Sequence, residues 1–433
     1  MFVIGILIEN AKIVPMTGTN DFVDKGYIII EGQFITEIGA GTPPGHNCEK
    51  VINGTDKVVM PGFINTHTHA AMTLLRGYAD DLPLMEWLQT KIWPLEAKLT
   101  AEDVYWGSML ACTEMIKSGT TTFADMYFFM EEVAKAVEKT GMRGVLARGL
   151  IGNGPNVESS LEENLDLYKK WHGAAGDRIK IYLGPHAPYT CPPPFLKQVG
   201  EIARKENIGV HIHVAETEQE IKDIINQYGK TPTTLLAETG LFENRVIAAH
   251  CVHLTREDIA ILKKYQVGVA HNPESNMKLA SGIAPVPDLL EAGVKVGLGT
   301  DGASSNNNLD MLQEMRSAAL LHKVSAGVPT VLPAYQALEM ATAYGATVLG
   351  QEQEIGKLLP GYKADMILMD LNVPHMIPCY DIYANLVYSA LASDVNTVII
   401  NGEIIMEERK IKTFDEGLVL AQAQKTANRL TGK

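Results

Sequence analysis

From Lys57 onward, short apolar runs alternate with longer stretches in which apolar residues recur at helical spacing. The runs are KVVMPGFIN (57–65), TTTFADMY (120–127), GVLARGL (144–150), IKIYLGPHA (179–187), IGVHIHVAE (208–216), VIAAHC (246–251), VGVAHN (267–272) and KVGLGTD (295–301). Helix-like segments such as 131–140, 192–206, 217–228 and 255–265 separate many of them. Between the first two runs, a helical stretch opens on Thr100, a good N-cap, and closes on Gly119, a good C-cap. Eight buried strands in a β-then-α rhythm predict an α/β fold, a (β/α)8 TIM barrel. The rival is an open doubly wound sheet. That sheet would not need eight strands, and neither a GxGxxG after the first run nor a P-loop is present.

The two ends have another texture. Residues 3–56 hold β-rich stretches broken by Gly and Asn, and residues 362–411 repeat the pattern. They are expected to pair into one small β-sandwich beside the barrel. The division is then residues 1–56 plus 357–412 for the sandwich, 57–356 for the barrel and 413–433 for a terminal helix.

Charge narrows the partners. With 37 basic against 51 acidic residues, the formal charge of −14 disfavours binding to a phosphate backbone, so nucleic acid is not an expected partner. The cysteines (Cys48, Cys112, Cys191, Cys251 and Cys379) are odd in number and form no CxxC, which argues against a disulfide framework and suits a reducing cytoplasm. The apolar N-terminus has no basic region, and Glu9 interrupts it, so it reads as a strand rather than a signal peptide. No apolar stretch reaches the ~18 residues of a membrane helix. A cytoplasmic enzyme-sized protein without membrane contact is the expectation.

The unusual polar residues gather at one end of these strands. His67 and His69 end the first run, one residue apart and therefore on one side of an extended chain. Arg148 ends the third, His186 the fourth, His213 the fifth with Glu216 just beyond, His250 the sixth and Asp301 the eighth. Any one of these histidines alone is better explained as structural. Together, at the C-terminal ends of barrel strands where barrel enzymes place their chemistry, they point to a metal site. Imidazoles with a carboxylate suit Zn²⁺, and also Fe²⁺ or Mn²⁺. His211 lies deeper on the strand of His213 and reads as core or as support for a ligand. His271 is close to the site without a definable role, and His253, His322 and His375 read as surface or structural residues.

PGFINTHTH, HVAE, AAHC and GTDGASSNN, in that order at the expected strand ends, resemble the amidohydrolase superfamily. The resemblance spans nearly the whole chain. It implies a metal-bearing (β/α)8 barrel flanked by a β-sandwich, with His67, His69, His213 and Asp301 as ligands. The two-metal branch carries a bridging lysine at the end of strand four, where this chain has His186, so the resemblance is to the one-metal deaminase branch. LMEWLQTKIWPLEAKLT (84–100), ARGL around Arg148 and GPHAPYTC (184–191) are most similar to the 5-methylthioadenosine/S-adenosylhomocysteine deaminases. That likeness implies one divalent metal, most simply Zn²⁺, a small-molecule nucleoside substrate, and substrate contacts from Glu96, Arg148, His186 and Glu216.

These residues suit a hydrolytic deamination. A divalent metal brings the pKa of water down toward ~7. Glu216, three residues beyond His213, is placed to protonate the ring nitrogen beside the attacked carbon; its bland alternative is a solvated helix start. Asp301 can also accept a proton from the attacking water, and His250 can orient that water and steady developing charge. Glu96 can accept two hydrogen bonds from a ribose diol. Arg148 can meet a substrate carboxylate or pair with a protein acid. A guanine, cytosine or triazine hydrolase of the same superfamily would share every metal residue. A cytidine-deaminase zinc motif, HxE then PCxxC, is missing, and a metal-free scaffold would have no use for the full ligand set. The sequence leaves open the ranking of methylthioadenosine, adenosylhomocysteine and adenosine, the metal loaded in the cell, and the oligomeric state, a homo-oligomer included.

Overall fold

In the computed structural model, which describes residues 4–43, 48–154 and 156–432, the strands fall into two sheets. The N-terminal part supplies β1 (Ile4–Ile13), β2 (Val23–Glu31), β3 (Phe34–Ala40), β4 (Cys48–Asn53) and β5 (Lys57–Pro61). Then come β6 (Phe63–Thr68), β7 (Thr120–Tyr127), β8 (Arg143–Leu150), β9 (Ile179–Pro185), β10 (Val210–Val214), β11 (Val246–His250), β12 (Gly268–His271) and β13 (Val296–Leu298). The C-terminal part adds β14 (Met366–Asp370), β15 (Val395–Ile400), β16 (Glu403–Glu407) and β17 (Lys410–Ile411). Val3 of the expected first strand and Lys433 of the expected terminal helix lie outside the described residues.

Strands β6 to β13 form the eight-stranded barrel sheet, each parallel to the next in chain order. Covered on both faces, they read in the sequence as nearly continuous apolar runs. Ile64, Ala124, Val145, Ala147, Ile247 and Ala249 fill the interior below the site. The edges β6 and β13 meet through a seam of side-chain and backbone bonds in place of a regular ladder. Thr66 Oγ1 donates to Leu298 O (2.8 Å), Asn65 Nδ2 to Thr300 Oγ1 (2.7 Å), and Asp301 N to His67 O (3.0 Å).

The first apolar run is two strands, not one. β5 pairs with β1 and β14 in the other sheet, and only β6 enters the barrel. Gly62 makes the break possible, because a Cβ there would stand 2.1 Å from the Thr121 side chain. Hydrophobicity runs straight through 57–65, so the pattern alone could not show the change of sheet. The expected barrel boundary at Lys57 therefore falls within the smaller unit's sheet.

That smaller sheet has nine strands drawn from both ends, mixed in direction and mostly antiparallel. Ile8, Ile28 and Ile35 from one end share a core with Met366, Leu368 and Ile399 from the other. The sheet turns back on itself, so that a Cβ at Gly402 would lie 1.9 Å from Gly32 O. A buried ion pair fastens it to the barrel: Arg143 Nε and Nη2, at the start of β8, donate to Asp365 at 2.8 and 3.1 Å. The helix Ala101–Lys117 carries the expected Thr100 cap with Asp103 completing a capping box. The terminal helix Glu416–Thr431 docks on it through Arg429 and Asp103.

Candidate metal centre and active site

His67 on β6 and His69 just beyond its end both face the mouth of the barrel, and His213 arrives from β10. Each of the three has its Nδ1 already engaged. His69 Nδ1 is 2.6 Å from Met126 O, His213 Nδ1 is 2.7 Å from His186 O, and His67 Nδ1 is 2.8 Å from His211 Nε2. A carbonyl can only accept, so His69 and His213 carry their protons on Nδ1 and present a bare Nε2. These nitrogens converge: the Nε2 atoms of His69 and His213 are 3.3 Å apart, and Asp301 Oδ1 is 3.4 Å from Nε2 of both His67 and His69. His67 Nε2 is buried with no hydrogen-bond partner. Lone pairs aimed at one point repel unless a cation sits among them, so this donor set fits a divalent metal. Nitrogen and carboxylate donors of this kind suit zinc among others.

Asp301 is held from several sides. Its Oδ2 accepts from Ser275 Oγ (2.6 Å) and Ser305 Oγ (2.9 Å), and its Oδ1 from Gly302 N (2.8 Å). Burial would raise its carboxyl, but the His67, His69 and His250 imidazoles outweigh that and hold it well below the usual range. His250, at the end of β11, has Nδ1 2.9 Å from Asn276 Oδ1 and Nε2 3.9 Å from Glu216 Oε2. Burial lowers its pKa, yet Glu216 and Asp301 together leave it raised. Ala215, His250, Cys251 and Asp301 all have left-handed backbones, with φ of 54°, 72°, 49° and 58°. Such conformations cost non-glycine residues ~1–2 kcal/mol each and concentrate where a site fixes its groups.

Glu216 follows β10 and precedes the helix Glu218–Tyr228, capped by Thr217. It is not the solvated helix start of the bland reading: its carboxyl is buried, which raises its pKa and suits a proton carrier. Its loop is fixed from below by Glu220, whose two oxygens accept from Ala215 N (3.1 Å) and Glu216 N (2.8 Å). Burial pushes the Glu220 carboxyl up to about 7 against those two donors.

Above the centre lies a cavity of about 460 Å³. His69, His186, His213, Glu216, His250 and Asp301 face it at the strand ends. Glu96 lines it too, at the end of a helical segment over Leu84–Glu96, and accepts from Tyr127 Oη at 2.7 Å. Burial raises the Glu96 carboxyl. His186 is held near the floor by Thr190 Oγ1 (3.0 Å), and burial lowers it to about 4, so it is neutral at pH 7.

Arg148 departs from expectation. Val145, Ala147 and Gly149 take the inward positions of β8, so Arg148 is turned outward by strand alternation. Its Nε donates to Glu163 at 3.0 Å, Nη1 donates to Gly149 O, and the guanidinium packs 5.3 Å from the centre of the Phe128 ring. It lines a separate surface cleft and not the cavity. Of the two roles open to it in the sequence, the structure displays the pairing with a protein acid.

Several supporting residues escaped the sequence reading. Tyr127 reaches Glu96, Ser275 reaches Asp301 and Asn276 reaches His250 only through the fold, whereas Ser305 and Glu220 stand four residues beyond Asp301 and Glu216. His211 was visible, two residues before His213, and stands directly behind His67. His271 pairs instead with buried His322, Nε2 to Nε2 at 3.1 Å, which makes both structural.

Fold and site together define a (β/α)8 protein with a His/Asp group that can hold a metal. The chain belongs to the amidohydrolase family, whose model matches residues 58–405. It is 64% identical over 429 residues to a 5-methylthioadenosine/S-adenosylhomocysteine deaminase of Syntrophomonas wolfei subsp. wolfei, covering 99% of this chain and 100% of that one. A 5'-deoxyadenosine deaminase of Methanosarcina mazei is 53% identical over 430 residues, covering 99% of each. Among solved structures, a zinc-bound adenosine deaminase from Xanthomonas campestris superposes with a TM-score of 0.96 at 34% identity, over 100% of both chains.

Proposed function

We propose that the chain is a metal-dependent hydrolytic deaminase of adenine nucleosides modified at the 5′ position, a class that includes 5′-methylthioadenosine and S-adenosylhomocysteine. The observation that carries it is the set of bare imidazole nitrogens converging on Asp301 beneath a buried Glu216. His67, His69, His213 and Asp301 would hold one divalent cation, Zn²⁺ by donor chemistry, with Fe²⁺ and Mn²⁺ as alternatives. When bound, that cation supplies the Lewis acidity that makes water a competent nucleophile at neutral pH.

The side chains supply the rest. The Glu216 carboxyl, kept protonatable by burial, delivers a proton to the ring nitrogen next to the attacked carbon. Asp301 accepts a proton from the attacking water, and His250, 3.9 Å from Glu216, orients that water and stabilises charge on its oxygen. Proton transfer to the exocyclic amine then releases ammonia. Glu96 receives the ribose hydroxyls while Tyr127 holds it in place. Neutral His186 offers a further hydrogen bond at the floor.

The test is ammonia release from a panel of adenine nucleosides, free adenine, guanine, cytosine and a triazine. Adenine nucleosides with a 5′ thioether should be turned over best. A higher kcat/KM for guanine or a triazine would reassign the substrate while leaving a metal-dependent hydrolase.

A further inference from the structure

Glu314 is wholly buried on the helix Met311–Ala326, it is not among the described residues that line the cavity, and no step of the deamination uses it. Its carboxyl reaches two separate segments. Oε1 accepts from Asn306 Nδ2, which also donates at 2.7 Å to the carbonyl of Thr300, the residue before Asp301. Oε2 accepts at 3.3 Å from the backbone N–H of Glu274, the residue before Ser275. Ser305 and Ser275, each next to one of these contacts, have their hydroxyls 3.1 Å apart and both on Asp301 Oδ2. Ser305 N and Asn306 N close the turn that carries Ser305 by donating to Gly302 O, each at 3.0 Å, and the Asn306 side chain ties that turn to the helix.

We infer that Glu314 is a positioning residue, which aims Asp301 Oδ1 at His67 and His69 by holding together the two segments whose serines grip Oδ2. The inference rests on the reading of Asp301 as a metal ligand and proton acceptor. A carboxylate turns readily about its terminal bond. Here two hydroxyls fix one of its oxygens, and each hydroxyl is only as well placed as the segment that bears it. A shift of ~1 Å in a reacting group costs about 10² in rate. A helix packed on the barrel for stability alone would carry an apolar side chain at this position, as it does at buried Met315 and Ala318, because burying a carboxyl is costly. Burial and neighbouring Glu274 hold the Glu314 carboxyl well above its ordinary range. The position therefore calls for a hydrogen-bond acceptor rather than a charge. Gln supplies one and Leu does not.

The experiment measures ammonia release from 5′-methylthioadenosine at saturating Zn²⁺, and Zn²⁺ affinity by competition with a chelator, on the full chain. Glu314→Leu should lower kcat by about 10- to 100-fold with KM within about threefold of wild type, and weaken Zn²⁺ binding by about tenfold or more. Glu314→Gln, which still accepts from Asn306, should bring both back to within about fivefold of wild type. In a Ser275→Ala/Ser305→Ala background, Glu314→Leu should cost less than about threefold more, because the grip it supports is already gone. Should urea unfolding show that Glu314→Leu does not fold, Asn306→Ala breaks the same link from the other side and takes its place in each comparison. Wild-type kcat and Zn²⁺ affinity in the folded variant would overturn the inference. So would losses that multiply in the serine background, which is the result a purely structural role produces. A wild-type chain that neither binds Zn²⁺ nor releases ammonia would instead refute the metal-centre reading beneath it, which makes the two failures distinguishable.

Discussion

Replacing Glu220 with Gln tests whether the acid above the metal centre is positioned from below. Both Glu220 oxygens accept backbone N–H groups, from Ala215 at 3.1 Å and Glu216 at 2.8 Å, in a loop whose Ala215 is left-handed. Gln can keep one of these bonds, but its amide NH₂ confronts the other N–H. The loss is about one charge-assisted hydrogen bond, roughly 1.5–3 kcal/mol. At about 1.36 kcal/mol per decade, kcat should fall about 10- to 150-fold if that energy holds Glu216 in place. Ammonia release should be followed at pH 8.5, above the value of about 7 for Glu220, with metal content measured in parallel and staying near wild type. Glu216→Gln should lower kcat by about 10² or more, and the double variant should be no worse than Glu216→Gln alone, because the support acts only through the acid it supports. A single Glu220→Gln variant within twofold of wild type would refute the reasoning, and so would multiplicative losses.

The other expectations follow from the same geometry. Metal analysis should find about one divalent cation per chain. His67→Ala or Asp301→Ala should strip it and abolish turnover, whereas two tightly held ions would exclude a one-metal site. His211→Ala removes the group behind His67 Nδ1 and should weaken metal affinity by about 10- to 100-fold, as loss of such outer partners does; competition with a chelator would measure it. Glu96→Ala should lower activity on a ribonucleoside and erase a preference of about tenfold over its 2′-deoxy form, and a retained preference would move the diol contact elsewhere. Asp365→Ala leaves buried Arg143 without its partner and should cost about 3–5 kcal/mol, read from the midpoint of urea unfolding; a cost below about 1 kcal/mol would show that the pair does not fasten the two units.

The barrel was legible because its strands, covered on both faces, are written as apolar runs, and the candidate ligands because each ends such a run. The break at Gly62 was hidden for the same reason: Val59 and Ile64 serve different sheets with equal hydrophobicity. Arg148 shows the reverse problem. Its place at a strand end was readable, but the parity of β8, which sends Gly149 inward, depends on the register of neighbouring strands. Ser275, on the helix Pro273–Lys278 after β12, meets Asp301 26 positions further along, and spacing along the chain carries no trace of that meeting. The Arg143–Asp365 pair, 222 residues apart, was beyond local pattern altogether.

The seam between β6 and β13 also sets a schedule for biosynthesis. Thr68 and Asp301, hydrogen-bonded across it, are 233 residues apart. At ~5–20 residues per second, on the order of 10–50 s of translation separates them. Throughout that interval His67 and His69 have emerged and the carboxylate has not. An ion met early would find imidazoles alone, so the nascent chain can hold it only loosely until the eighth strand arrives. Sealing the barrel and completing the ligand set are then a single late event, and a ribosome stalled before Asp301 would display an open sheet edge and an unfinished centre together.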